Sequence, residues 1–243
     1  MRVIISAIVF LLVTCTCSAQ FNDSTHYYVS YKSAGSINRT NANSAYLLNN
    51  AFKVGVNQKR ISLNFANSWV YGQQQNNLTN NDFTSTLDCN SYNSIPHFFY
   101  WGLGNYMASY SLKIISQYQA GAGLAYNLVD KDKLKINVSD GILYESSDLS
   151  VTDSTHDKYT TYRNSLRFSF KFHIHELITF NGVNFLQNSL SSRSDYIIKS
   201  NLTLGVKLRK WLTLTTTYSY NRYNRTNREN TLFSYGLTVE QYF

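Results

Sequence analysis

Hydrophobic and polar residues alternate one by one along many segments of this chain. In residues 166–174, leucine, phenylalanine and isoleucine occupy the even positions, while Arg167, Ser169, Lys171 and His173 occupy the odd ones. An alternation with a period of two predicts β-strands with one apolar face and one polar face. The same pattern occurs in residues 60–71, 198–209, 212–220 and 233–243.

The length and number of these segments predict a membrane barrel and not a soluble sandwich. Strands of soluble proteins average about 5 to 6 residues, whereas these segments approach the roughly 10 residues that a tilted strand needs to cross a bilayer. About twelve candidate strands, at about 19 residues for each strand with its connection, match the spacing of outer-membrane barrels. The sequence therefore predicts an all-β fold, a closed antiparallel transmembrane β-barrel of about 12 strands.

The predicted connections alternate between two kinds. One set is short, at residues 57–59, 93–96, 130–132, 175–176 and 209–210. The other set is longer and polar, at residues 35–43, 72–81, 146–157, 190–195 and 221–230, with a shorter member at 106–111. Short periplasmic turns and long extracellular loops are typical of outer-membrane barrels. We therefore expect both ends of the barrel domain on the periplasmic side.

The start of the chain has the pattern of a secretory signal peptide. Residues 1–19 begin with the charged Arg2, continue with an apolar core and end in small residues. We expect cleavage after residue 19, so that residues 20–243 form a barrel in the outer membrane of a double-membraned bacterium. A second interpretation, lipidation of Cys15, stays open because the three residues before it loosely resemble a lipidation box.

Removal of the signal peptide leaves Cys89 as the only cysteine, so the sequence predicts no internal disulfide. After residue 19, no apolar stretch reaches the ~20 residues of a membrane-spanning helix. The barrel must therefore be stabilised by backbone pairing and side-chain packing.

Aromatic residues are abundant, with 20 tyrosines and 14 phenylalanines. Aromatic side chains at strand ends predict two girdles at the membrane interfaces, and the candidates are Trp69, Tyr71, Tyr100, Trp101, Tyr126, Trp211, Tyr218 and Tyr220. Phe243 follows evenly spaced apolar residues on the last strand. This arrangement resembles the signal that the barrel assembly machinery recognises, so we expect that machinery to be a partner.

The chain is basic, with a formal net charge of +8, but its basic residues are spread along the strands. This spread argues against a nucleic-acid partner. The alternation predicts an inner face with basic residues Arg60, Lys113, Lys135, Arg167, Lys171, Lys199, Lys207 and Arg209, and with acidic residues Asp140 and Glu240. Two interpretations stay open: an anion-preferring pore, or a narrow barrel filled and closed by its own side chains.

No constellation of residues predicts catalysis. His173 and His175 have the spacing of two metal ligands and are followed by Glu176, but the sequence places no third ligand. His97 has no serine or aspartate at a triad spacing, and no G-x-S-x-G motif occurs. We therefore expect no enzyme and assign no catalytic, cofactor-binding or metal-binding residue, and no cofactor.

Residues 118–149 resemble a known family. They combine a strand of the form G-A-G-L-x-Y, a short charged turn and a second strand, through Gly121, Gly123, Leu124, Tyr126, Lys133, Leu134, Gly141, Tyr144 and Glu145. With the segments 98–118 and 211–243, these features are similar to the family of salt-induced outer-membrane proteins, a domain family of unknown function. The resemblance implies an outer-membrane barrel and carries over no catalytic residue.

These patterns predict a small porin-like or envelope-integrity barrel without catalysis. The alternative is a membrane-embedded lipid-modifying hydrolase, which would need an outward-facing Ser-His pair at one rim. A third interpretation, a soluble sandwich that binds a ligand, predicts that the protein stays soluble after cell lysis. We expect outer-membrane lipid around the barrel, and the loop residues Arg222, Arg225 and Arg228 offer contacts to lipopolysaccharide phosphates.

The alternation in residues 166–174 predicts that Phe170 faces lipid and Lys171 faces the lumen. A charge at the bilayer midplane costs such barrels about 2 to 4 kcal/mol, so Phe170→Arg should lower the folding yield far more than Lys171→Arg. Refolding into lipid vesicles measures both yields, and equal losses would contradict the assigned faces.

Overall fold

Twelve β-strands make up the protein in the computed structural model, which describes residues 26–39, 44–58, 60–92, 95–152, 155–175 and 177–243. The predicted signal peptide and Cys15 lie outside these residues. The strands are β1 Tyr27–Arg39, β2 Ser44–Asn57, β3 Ile61–Gln74, β4 Asn77–Tyr92, β5 Phe98–Ser109, β6 Ile114–Lys131, β7 Leu134–Thr152, β8 Thr155–Ile174, β9 Ile178–Ser189, β10 Tyr196–Arg209, β11 Leu212–Tyr223 and β12 Arg228–Tyr242.

Each strand pairs antiparallel with its sequence neighbours, and β1 pairs with β12, so the sheet closes on itself. At this seam Tyr28 lies opposite Tyr242 and Gly35 lies opposite Tyr235. The predicted closed antiparallel barrel is confirmed. Within the described residues, no helix is long and apolar enough to cross a membrane.

The barrel has two ends, named here by position. The lower end carries His26, Phe243 and the connections that follow the even-numbered strands, and the upper end carries the connections that follow the odd-numbered strands. At the lower end, the backbone carbonyl of Phe243 accepts hydrogen bonds from the amides of His26 and Tyr27, at 2.8 and 3.0 Å. These bonds complete the seam between β1 and β12.

The two faces of the strands follow the predicted alternation. On β12, Phe233, Tyr235 and Leu237 are exposed on the outer face, whereas the side chain of Ser234 between them is buried on the inner face. On β8, Leu166 and Phe168 are exposed outside the barrel, whereas Arg163 and Ser165 are buried inside it. The outer surface is therefore largely apolar, and most of the polar side chains of the strands face the lumen.

Most of the predicted girdle aromatics lie on the outer face, and exposed members include Trp69, Tyr100, Tyr126, Trp211 and Tyr218. The prediction for Trp101 is wrong. Its indole is only 6% exposed and packs on the inner face with Phe99 and Leu143. Strand parity, and not position near a strand end, decides which way this residue points.

Two glycines create the space that Trp101 occupies. A Cβ atom added to Gly123 or Gly141 would lie 2.7 or 2.5 Å from the Cζ2 atom of the Trp101 indole. Each added atom would also lie within 2.4 Å of a backbone carbonyl oxygen. Any side chain at these two positions would therefore overlap with the protein.

The predicted long connections at the upper end are mostly strand. The segment 72–81 forms a hairpin whose only turn residues are Gln75 and Asn76, both with positive φ. Strands β7 and β8 run through most of 146–157 and leave only residues 153–154 between them. Antiparallel pairing thus continues above the outer apolar belt, because polar strands can pair in water as well as in lipid.

Three predicted inner-face residues lie elsewhere. Asp140 is exposed and accepts hydrogen bonds from the Asn164 amide at 2.9 and 3.1 Å on the outer face. Its cross-strand partner Leu124 is exposed on the same face. Arg60 and Lys113 lie in the connections after β2 and β5. Asp140 faces outward because the odd positions of β7, such as Ser139 and Leu143, form its inner face, and Arg60 and Lys113 lie beyond the strand ends.

The space around Trp101 predicts a stability difference between two glycines. Gly141→Ala should destabilise the barrel by about 1 to 3 kcal/mol, the usual cost of overpacking. Gly104→Ala is the matched control, because its added Cβ would meet only the Leu87 Cβ, at 4.0 Å. Urea unfolding of the refolded variants in lipid vesicles measures both, and equal stabilities would contradict this packing.

Candidate functional site

The upper half of the lumen is blocked by side chains that meet from opposite walls. The Tyr223 hydroxyl on β11 donates a hydrogen bond to the Gln117 Oε1 atom at 3.1 Å. The Tyr223 hydroxyl oxygen also lies 3.4 Å from the Met107 Sδ atom on β5. In a ring of twelve strands, β11 and β5 are six strands apart and thus lie directly across the lumen. Contact between them closes the lumen at this height.

An apolar cluster fills the same height of the lumen. Met107 and Tyr223 pack with Leu112, Ile114, Leu149 and Ile197, and all six are at most 7% exposed. These residues come from β5, β6, β7, β10, β11 and the connection after β5. Inner-face apolar residues of this size exclude water, so the blockage is packed and not merely narrow.

Next to the apolar cluster lies a fully buried ion pair. The Arg163 guanidinium donates from Nε to the Glu145 Oε2 atom at 2.8 Å and from Nη2 to the Oε1 atom at 2.9 Å. Both side chains are 0% exposed. A two-point contact of this kind fixes the planes of both groups and is stronger than a single charged hydrogen bond.

Neutral donors complete the shell around Glu145. Its carboxylate accepts hydrogen bonds from Tyr159 Oη at 2.6 Å, Gln119 Nε2 at 2.6 Å and Ser147 Oγ at 3.1 Å. Gln119 also contacts Gln187 on β9 at 3.1 Å, which extends the network across the lumen. A buried charge is tolerated only when its hydrogen-bonding capacity is satisfied, and here it is.

The network continues to the upper surface through Asp195 and Arg225. Asp195, in the connection between β9 and β10, accepts from Arg163 Nη2 at 2.9 Å and from Arg225 Nη1 at 3.4 Å. Arg225, in the connection between β11 and β12, also donates to Asp157 at 2.8 and 3.2 Å and lies 3.7 Å above the Tyr159 ring. We call Glu145, Asp157, Tyr159, Arg163, Asp195 and Arg225 the upper network.

These contacts bear on the prediction that the basic loop residues contact lipopolysaccharide phosphates. The hydrogen bonds to Asp157 raise the pKa of the Arg225 guanidinium, so it stays charged. The carboxylates of Asp157 and Asp195 already neutralise it, and Arg222 lies 3.7 Å from Glu229. Arg225 therefore holds two upper connections together and is poorly placed to contact a lipopolysaccharide phosphate.

The lower half of the lumen is different, because water reaches its charged residues. Lys53 on β2 and Lys171 on β8 are exposed although both lie on the inner face. Arg167 crosses the lumen above them towards Asp88 of β4, at 3.5 Å. The predicted inner-face positions of Lys135, Lys171 and Lys207 agree with the strand register. The barrel is thus closed above and wet below.

The histidines do not form a recognisable catalytic or metal site. His173 on β8 lies 3.2 Å from the Thr179 hydroxyl, whereas His175 has left the strand and lies in the following turn with positive φ. In the part of the chain that the structure describes, no three His, Cys, Asp or Glu side chains are grouped as metal ligands. His173 and His175 therefore do not lie together on one face of a strand, as their spacing predicted.

An outward Ser-His pair would have supported a hydrolase. His156 lies at the upper rim, and its Nδ1 atom is 3.2 Å from the Asp148 carboxylate. Ser150 is opposite His156 in the strand pairing. The imidazole contacts the Asp148 carboxylate, and this contact alone does not identify a catalytic site.

The sequence pattern does not predict most of the upper network. Tyr159 and Arg163 lie between the predicted connection 146–157 and the alternating segment 166–174, and Asp195 ends the predicted connection 190–195. Glu145 entered only through the family resemblance. The signal that could have found them is parity, since Tyr159, Arg163 and Arg167 share one strand face with the predicted inner residue Lys171.

A family model described as "Protein of unknown function, DUF481" matches residues 33–240. The chain belongs to this family. The match reaches from β1 to β12, so the DUF481 region includes the apolar cluster and the whole upper network. The predicted membership in a domain family of unknown function is confirmed, whereas the link to salt-induced proteins stays a prediction. No curated protein matches the chain.

Solved structures show the same fold at low identity. The NanC porin is 12% identical, with a TM-score of 0.53, over 88% of this chain and 99% of that chain. The translocator domain of the autotransporter NalP from Neisseria meningitidis is 10% identical, with a TM-score of 0.51, over 88% of this chain and 87% of that chain. At this identity, the similarities show only that this DUF481 chain shares the fold of these proteins, and they carry no information about its ligand.

The buried ion pair predicts a large cost for removing one partner. Arg163→Met should destabilise the barrel by about 3 to 5 kcal/mol, because Glu145 would keep a buried and uncompensated charge. Arg222→Met removes a solvent-exposed ion pair with Glu229 and should leave the stability nearly unchanged. Urea unfolding in lipid vesicles compares the two, and a cost for Arg163→Met no larger than that for Arg222→Met would contradict the buried pair.

Proposed function

We propose that this protein is a non-catalytic, porin-like barrel of the outer membrane whose passage is closed at the extracellular end in its resting state. The observation that carries the proposal is the contact of Tyr223 with Gln117 and Met107 from the opposite wall. A passive, permanently open pore would need a water-filled lumen at the height of Tyr223, whereas here apolar side chains fill it.

The outer surface supports a membrane location. Large apolar side chains are exposed around the barrel, and examples from well-separated strands are Phe52, Leu87 and Leu214. In hydrocarbon every backbone amide and carbonyl must be paired, and a closed barrel meets this requirement. The lower end, which carries His26 and Phe243, would face the periplasm as in other barrels with an even number of strands.

The position of the upper network favours a gate over a permanent plug. Asp195 and Arg225 lie in connections between strands, and not in the paired strands themselves. Movement of these two connections would break contacts with Arg163 and Asp157 without unpairing any strand. The upper network could therefore rearrange while the pairing between strands stays intact, and opening the lumen would also require the side chains of Tyr223, Gln117 and Met107 to move apart.

Two partners follow from the outer surface. Outer-membrane lipid would cover the apolar belt, with exposed Trp69 and Trp211 near the interfaces. Phe243 is 55% exposed beside the seam between β1 and β12. We also propose that the barrel assembly machinery recognises this exposed ring before the seam between β1 and β12 closes.

The proposal predicts the electrical behaviour of the protein in a planar bilayer. The wild-type protein should show no steady open steps, whereas Met107→Ala/Tyr223→Ala should conduct, because this double change removes the contact across the lumen. The reversal potential across a KCl gradient should show chloride preference, because the lower lumen is basic.

The matched control is Tyr218→Ala, which removes a tyrosine from the outer face of the same strand and should leave the protein silent. Heat-modifiable migration in gels checks that each variant is folded. Steady wild-type conductance would contradict the closed resting state. A folded, silent double variant would instead identify a structural, envelope-integrity barrel.

A further inference from the structure

The lower lumen contains more positive than negative side chains. Four lysines on the inner face of its wall belong to four different strands, and we call them the lower lysine ring: Lys32 of β1, Lys53 of β2, Lys171 of β8 and Lys207 of β10. Lys135 of β7 is a fifth lysine at the same end. Such a distribution surrounds the lumen with positive charge on several sides.

Some of these lysines face each other directly. In the closed ring of twelve strands, β2 and β8 are six strands apart, so Lys53 and Lys171 approach from opposite walls. Lys135 is the cross-strand partner of Lys171, and the two ammonium groups repel one another, as do those of Lys53 and Lys171. Like charges directly opposite each other on a sheet are destabilising.

Few carboxylates offset this repulsion. Asp130 pairs with Lys135 at 3.3 Å, and Asp88 is 3.5 Å from Arg167. Among the described residues, Asp88 also attracts Lys53, and Glu240 attracts Lys171 and Lys207. No described carboxylate lies within 4.0 Å of the ammonium group of a ring lysine, since Asp130 and Asp88 form their ion pairs with Lys135 and Arg167. The ring therefore holds a surplus of positive charge.

The chemistry of the ring contrasts with that of the upper network. There, each arginine has carboxylate partners and the central pair is fully buried. Here, Lys53 and Lys171 are exposed to water. Lys32 donates to the Thr217 hydroxyl, and the Lys53 ammonium lies over the Tyr28 ring. Unpaired lysines that converge on a water-filled space leave donors for a ligand that is not part of the chain.

The closed upper half of the lumen limits the size of that ligand. Because the apolar cluster fills the lumen above the lysine ring, a ligand must fit within the lower chamber, which favours a compact ligand over a long polymer. Tyr28 and Tyr242 are cross-strand partners on one wall at the lower end, with their ring centroids 4.6 Å apart. The Lys53 ammonium lies 5.9 Å from the centroid of the Tyr28 ring, so this aromatic pair borders the lysine ring.

We propose that the lower lysine ring is a binding site for a small polyanion that carries phosphate or carboxylate groups and enters from the periplasm. This inference deepens the proposed function by naming the class of ligand, and it rests on that function only for the side of entry. Binding replaces repulsion between lysines by charge-assisted hydrogen bonds, so the ligand should also stabilise the folded barrel.

The test is isothermal titration calorimetry on the refolded full chain in detergent micelles at low salt, with tripolyphosphate and citrate as separate probes. At least one probe should bind with a stoichiometry near one. Binding of tripolyphosphate alone would identify a phosphate ligand, binding of citrate alone would identify a carboxylate ligand, and binding of both would define a general polyanion site. Lys53→Gln/Lys171→Gln should weaken binding by at least about tenfold.

The control is Lys158→Gln/Arg222→Gln, which removes the same number of charges from exposed positions at the upper end. It should leave the affinity unchanged. Urea unfolding with and without the probe gives a second readout, in which the probe should stabilise the wild type and the control but not the lysine variant.

Absence of binding by both probes, or equal weakening in the two double variants, would overturn the proposal. These titrations use the closed barrel and need no conductance. A negative result would therefore leave the closed, porin-like function untouched, and a silent conductance experiment would leave the polyanion site untouched.

Discussion

Closure of the sheet is the constraint on which the rest of this structure depends. Every strand is paired on both sides, with β1 against β12, so no edge of backbone donors and acceptors is left open to lipid. Closure also forces the alternating side chains into two environments, one apolar and one enclosed. A ring of twelve strands is narrow enough for Tyr223 to touch Met107 and Gln117 on the far wall. The inner side chains therefore decide whether anything passes.

The two halves of the lumen accommodate their inner-face charges differently. In the upper half, the two charges of Arg163 and Glu145 are removed from water and satisfied by each other and by Gln119, Ser147 and Tyr159. In the lower half, lysines keep their contact with water and lack comparable partners. The buried charges of the upper half are paired and hydrogen-bonded, so they form a rigid closure. The exposed lysines of the lower half have no such partners, so they can bind a mobile anion. One barrel can thus combine a closed outer end with a charged inner chamber.

The period of two was sufficient to predict the closed antiparallel barrel, the strand number and the faces of strands such as β8 and β12, because a buried or lipid-facing side requires apolar residues at every second position. The same pattern could not predict where the pairing between neighbouring strands ends. The segment 146–157 is mostly polar and looks like a loop, yet β7 and β8 extend through residues 146–152 and 155–157. Tyr159 therefore lies within a strand, and its inner position was not predicted. The faces predicted for Trp101 and Asp140 were wrong, because the parity of β5 and β7 places the indole inside the barrel and the carboxylate outside it. Gly123 and Gly141 leave room for the indole, and Asn164 donates hydrogen bonds to the carboxylate.

The central claim, a lumen closed above and water-filled below, is tested most directly by thiol labelling. In a Cys89→Ser background, one cysteine would replace Asn201, which is exposed on the inner face, and another would replace Ser165, which is 2% exposed on the inner face. A small charged maleimide should modify the cysteine at 201 rapidly in the folded protein and the cysteine at 165 only after unfolding. Rapid modification at both positions would show a continuous water-filled lumen and contradict the account.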